Sequence, residues 1–140
     1  VSTDSIDLGV PGGTPAIQRV IGTGEPVGFG VSVGVAADFT TGDETYELQV
    51  VDDDNGPLAS PRILASYPKI ASLTASLNEL AAGSLHFCPI PQNYIPQRFL
   101  GMRYLTGGTT PTVTVTAWLT AHSIFSVLAR SYGKGYTITG

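Results

Sequence analysis

Charge is scarce in this sequence. Asp, Glu, Lys and Arg together make up 13% of its 140 residues, against about 25% in an average soluble chain. Seven Lys and Arg stand against eleven Asp and Glu, a formal net charge of −4. No sequence-wide positive field exists to hold phosphates, and nucleic acid is not an expected partner. Cysteine is nearly absent too: the lone Cys88 excludes an intramolecular disulfide and a multi-cysteine metal site. No run approaches the roughly 18 apolar residues that a membrane helix needs. The opening VSTDSIDLGV has neither the basic nor the apolar stretch of a signal peptide, so no membrane partner is expected. Nor does any repeat of about 20–50 residues recur.

What the chain has in quantity is turn formers and β-branched residues. Gly 17 and Pro 10 punctuate stretches rich in Val and Thr, and the hydrophobic share of 42% is enough for a packed core. Alternation at period two marks strands. Ile6, Leu8 and Val10 alternate in the first; Val27, Phe29, Val31, Val33 and Val35 alternate with Gly or Ser in the second. Thr45–Val51, Arg62–Ser66, Ser84–Ile90, Phe99–Leu105 and Thr112–Leu119 follow, separated by turn signals such as TGDE and DDDNGP. About seven short strands without helical spacers predict an all-β sandwich or barrel in a single domain. Glycine on one face of the second strand implies that something lies close against Gly28, Gly30 and Gly34. Leu73, Leu77 and Leu80 let a helix compete over Ala71–Ala82. The prolines 89, 91 and 96 make the intervening stretch an edge or loop.

After Thr120 the chain changes character. Residues 123–140 are apolar and aromatic, interrupted by Gly133 and Gly135. The expected layout is a sandwich over residues 1–122 with an extended C-terminal arm over 123–140, which folds back on the sandwich or docks on a partner.

No catalytic constellation is complete in the sequence. The run Asp52–Asp53–Asp54–Asn55–Gly56 suggests a calcium loop, but Gly56 and Pro57 fall at its fifth and sixth positions and Ile63 at its twelfth, so the ligand pattern fails. A tight turn whose Asp and Asn side chains bond their own backbone fits it better. His86 and Cys88 share a strand face, as a thiolate and its base would, yet nothing in the sequence supplies an orienting group or a third metal ligand. GTGEPVGFG precedes a strand instead of following one, which is the wrong context for a dinucleotide loop. P-loop, HExxH and GxSxG motifs are absent. No cofactor, no metal and no enzymatic activity are expected. Trp118 with Tyr46, Tyr67, Tyr94, Tyr104, Tyr132 and Tyr136 would suit a sugar-stacking platform, so a carbohydrate-binding β-sandwich module is the alternative reading.

The segments STDSIDLG, GTGEPVGFGVSV, ETYELQVVDDDN, LASPRILAS, IPQRFLGMRYLTGGTTPTVTVTAWLT and YGKGYTI, in this order, resemble the capsid cement proteins of tailed phages typified by the Bordetella phage cement protein. The resemblance implies a jelly-roll β-sandwich. It also implies a structural virion protein that sits as a homodimer on the outer capsid surface, against a major capsid protein of the HK97-type fold. Family chains are expected to carry a short segment ahead of the STDSIDLG motif. Contacts with the shell or the second copy are expected from Tyr94 and Ile95 in the proline-rich stretch and from Phe125, Leu128, Tyr132, Tyr136 and Ile138 in the C-terminal arm.

Overall fold

A computed structural model describes residues 5–9, 24–74, 76–92 and 96–132. Seven strands form, each where alternation and turn signals place one: β1 (Ile6–Asp7), β2 (Val27–Val35), β3 (Thr45–Asp53), β4 (Arg62–Lys69), β5 (Leu85–Pro89), β6 (Phe99–Gly107) and β7 (Thr114–Ala121). They pair antiparallel into two sheets, ordered β1-β6-β3-β4 and β5-β2-β7. Among the described strands, only β3 and β4 are consecutive in one sheet; every other consecutive pair lies in different sheets. The expected β-sandwich is thus what the chain forms. A jelly roll has eight strands in two sheets, and the described residues supply three strands to the second sheet.

Alternation decides which side chains fill the sandwich. Phe29 and Val31 of β2 and Cys88 of β5 meet Leu48 and Val50 of β3 and Leu100 and Met102 of β6 in one buried cluster. A second cluster at the far end gathers Val33, Ala37, Tyr46, Ala71 and Leu80. Tyr46 carries its polar end into this layer: its hydroxyl donates to the Asp38 carbonyl at 2.6 Å and accepts from the Thr112 amide at 3.2 Å. Two loops are thereby tied to one core side chain, and the phenol loses no hydrogen bond on burial.

The other face of β2 explains its glycines. Gly30 pairs with Phe87 on one side and Trp118 on the other. A Cβ built at Gly30 would stand 2.6 Å from the Trp118 ring, and one at Gly28 would stand 2.5 Å from the Cys88 carbonyl oxygen and 2.8 Å from the Phe87 ring. The close neighbours are therefore aromatic rings of the same sheet leaning over a strand that offers no side chains. Gly34 has only ordinary contacts with Thr114.

One open alternative is decided and one expectation differs. Over Ala71–Ala82 the loop wins over the competing helix: the described residues of this stretch make bends and turns. Leu80 is buried while Leu73 and Leu77 are exposed, so the leucine spacing does not form one apolar face. Side chains also compete for the backbone: Ser72 Oγ accepts from the Thr74 amide and Asn78 Oδ1 from the Leu80 amide. Conversely, the arm expected to be extended from residue 123 begins as a helix, α1 (His122–Tyr132). No Gly or Pro interrupts those eleven residues, and Phe125 supplies the anchor that docks the helix.

Candidate functional site

The described residues contain no group of three or more His, Cys, Asp or Glu placed to hold a metal. Instead, the carboxylates of the 52–54 run are taken up by the fold. Asp52 receives a two-pronged hydrogen bond from Arg62 at 2.9 and 2.7 Å, plus the Gln97 amide at 2.9 Å. Asp53 accepts the Asn55 and Ser60 amides at 3.0 and 2.8 Å, the self-bonding turn that the sequence suggests. Leu58 closes the same loop with φ of 52° and a buried side chain.

His86 and Cys88 do share the inner face of β5, but neither is prepared for chemistry. Burial pushes the Cys88 thiol up to about 11, against the opposing pull of the Lys69 cation. At neutral pH this sulfur is a protonated core side chain. His86 Nε2 lies 2.9 Å from the Glu79 carbonyl, which can only accept, so this nitrogen carries the proton. Burial, with Lys69 beside it, holds the imidazole below its ordinary value and hence neutral at pH 7.

The exposed apolar surface is the feature of the molecule that suits binding. α1 lies on the outer face of the three-stranded sheet and touches β7, β2 and β5. Phe125 turns inward, its ring 5.3 Å from Phe87, and the His122 ring meets Phe87 edge-on at 5.1 Å. Ile124 (58% exposed), Val127 and Leu128 face outward, an apolar stripe at spacings of three and one residue. At the far end of the sandwich, a groove of about 340 Å³ is lined by Phe39, Tyr46, Pro68, Lys69, Ile70 and Leu105 among others. Ile70 (64% exposed) and Leu105 stand at its margin, and exposed Leu73 and Leu77 follow in the loop that Ile70 begins.

Of the expected contact residues, Phe125 is held by the chain's own sheet, so for this side chain the folded-back alternative holds. Leu128 is exposed. Tyr132 is the last residue of α1. Tyr94, Ile95, Tyr136 and Ile138 lie outside the described residues. Ile124, Val127, Ile70, Leu73, Leu77 and Leu105 were not anticipated from the sequence. The helical spacing of Ile124, Val127 and Leu128 was the available signal for the first two; nothing in the sequence separates Ile70 or Leu105 from the core residues beside them.

No acidic residue occupies the first turn of α1, so the helix borrows one. Glu25 Oε1 accepts the Ser123 amide at 2.6 Å, and hydrogen bonding from the Ser123 hydroxyl, with that amide second, lowers the Glu25 pKa below its ordinary value. Hydrogen bonds from Thr109, Thr41 and the Ser60 amide likewise lower those of Asp43, Glu44 and Asp53. Depressed carboxylates stabilise the fold above their unfolded pKa, near 4 for such groups. That stability is lost as pH falls through the folded values. Thermal melts should accordingly begin to fall below about pH 6.5, where the unfolded chain takes up a proton that buried His86 resists, and fall further below about pH 5 as the carboxylates are protonated. Glu25→Gln should blunt the acid loss of helical circular dichroism; an unchanged acid profile would separate the cap from α1.

No curated protein and no solved structure matches the chain. A family model, Bbp16, matches residues 1–121, all seven strands and none of α1, and on that span the chain belongs to the Bbp16 family, which is named for a Bordetella phage protein.

Proposed function

We propose that this protein is a structural component of a phage head. It binds as a dimer to the outer surface of a shell built from HK97-fold subunits and cements neighbouring subunits against internal DNA pressure. The observation that carries the reading is membership of a family named for a phage protein, over a match spanning the whole sandwich. Two physical features support it. The carboxylate and His–Cys constellations are consumed by the fold, whereas the outward side of α1 and the Ile70–Leu105 margin offer apolar contact area. A cement protein needs only modest affinity per contact, because a particle carries many copies and each dimer can grip more than one subunit.

The test is cosedimentation of the purified chain with stripped, expanded heads and with unexpanded procapsids. Saturable binding to expanded heads alone is expected, since a bridging site is completed when shell maturation brings its halves into register. Ile124→Gln with Leu128→Gln, or Ile70→Gln with Leu105→Gln, should lower occupancy at least about tenfold while leaving the melting temperature within a few degrees, because the altered side chains are exposed. A folded protein that binds neither particle overturns the reading and passes the weight to glycan binding. Full occupancy with both pairs substituted overturns the assignment of these surfaces.

A further inference from the structure

Among the described residues four strands lie at sheet edges: β1, β4, β5 and β7. Exposed edges invite pairing with another chain, and folded proteins guard them with short strands, prolines or charges. Three of the four carry such guards. β1 is two residues long, with Asp7 held by Arg98 in a two-pronged ion pair at 3.0 and 2.9 Å. β4 carries Arg62, Pro68 and Lys69, and β5 is five residues ending in Pro89. β7 has none of these. Its eight residues, TVTAWLTA, contain no charge and no proline.

Hydrogen-bond parity identifies which groups β7 leaves open. The His122 amide donates to the Pro26 carbonyl at 2.9 Å, so in the register that pairs Gly28 with Thr120 and Gly30 with Trp118 the even-numbered residues of β7 bond to β2. Val33 and Ile90, bonding from β2 to Ser84 and from the end of β5 to Val27, give the complementary parity, with odd residues of β2 bonding to β5. The amides and carbonyls of Val115, Ala117 and Leu119 therefore point away from the sheet. Among the described residues nothing takes them. The side chains keep this edge clear: the one large ring, Trp118, leans over Gly30 toward β2 and leaves Thr114, Thr116 and Ala117 along the margin.

We propose that β7 of one copy pairs antiparallel with β7 of a second copy across a twofold axis, joining two three-stranded sheets into one of six strands. The strand is its own complement. With Ala117 opposite Ala117, Leu119 of each copy faces Val115 of the other, and these three pairs exchange about six backbone hydrogen bonds. No like charges meet, because the strand has none. Leu119, 39% exposed although its alternation points toward the core side, is covered by the second copy. This deepens the cement reading, on which it rests for the expectation of a dimer.

The test uses the full chain and reads oligomeric state by light scattering after size exclusion. Wild type should be a dimer at micromolar concentration. Ala117→Pro deletes an outward donor without removing a bond to β2, and should raise the dimer dissociation constant at least about 100-fold with far-UV circular dichroism unchanged. Ala117→Cys supplies a measurement that does not depend on tolerance of proline. Paired Cα atoms about 5.5 Å apart lie within disulfide range, so oxidation should give a covalent dimer, while Cys88, buried in the core, gives none in wild type. A monomeric wild type, a dimer that survives Ala117→Pro, or failure of Ala117→Cys to cross-link would overturn the proposal. A monomer that still decorates expanded heads overturns the edge pairing alone; a β7 dimer that binds no head overturns the cement reading alone.

Discussion

Gly30→Val is expected to destabilise the protein by about 3 kcal/mol, the upper part of the usual range for overpacking, and to lower its melting temperature by roughly 10 °C. Elsewhere in a strand the same change would help, since valine favours extended backbone and glycine disfavours it. Here the new Cβ would stand 2.6 Å from the Trp118 ring, closer than any real contact, and two further methyl groups follow. The ring cannot simply swing toward the core, because it occupies the outer face of the sheet. Trp118→Ala alone should cost about 2 kcal/mol, less than for a fully buried ring because Trp118 is only half-buried. The double variant should then be no less stable than Trp118→Ala, since its valine meets no ring and regains strand propensity. Such non-additivity is the signature of two residues sharing one space. Additive costs in thermal melts would mean that Trp118 does not rest on Gly30. The same geometry bears on the sugar-binding alternative: a ring lying on its own backbone has one face already occupied, so loss of Trp118 should be felt first in stability.

The strands were legible in the sequence because alternation and turn chemistry are local. Val27–Val35 and Thr114–Ala121 reveal their faces residue by residue, and the glycine face of β2 announced a close neighbour. The identity of that neighbour was not legible, because Phe87 and Trp118 are distant in sequence and reach Gly30 only through sheet pairing. The helix was missed for a similar reason. Gly133 and Gly135 coloured the whole tail as irregular, although residues 122–132 contain no breaker, and the Glu25 cap comes from the loop before β2. The reverse holds at Leu73, Leu77 and Leu80, where the helical spacing that competes in the sequence is outweighed by Ser72 and Asn78 bonding the backbone. For the contact surface, apolar composition pointed to the C-terminal segment. Which of its side chains face out depends on docking: Phe125 goes in, while Ile124, Val127 and Leu128 stay exposed.

Arg62→Ala should cost about 3 kcal/mol, more than an ordinary surface arginine by a wide margin. The asymmetry of the pair is the reason. Arg62 is half exposed, but the Asp52 side chain is 0% exposed and takes both prongs of the guanidinium together with the Gln97 amide. Without Arg62, a buried carboxylate keeps one amide donor, and its desolvation is no longer offset. The expected cost sits at the low end for a broken buried pair, since water can enter from the side that Arg62 occupies. Arg62→Lys should recover only part of it, because a compact ammonium cannot reproduce the two-pronged geometry. Replacing both partners by leucine removes the charge as well as its counterion. That variant should be more stable than Arg62→Ala, retaining only the penalty of a Gln97 amide without its acceptor. Urea unfolding of the four proteins decides the matter. If Arg62→Ala and the double leucine variant unfold at the same midpoint, the buried charge is not what Arg62 stabilises. The pair would then act mainly by closing the 53–61 loop, which it joins through neighbouring strands at Asp52↔Arg62.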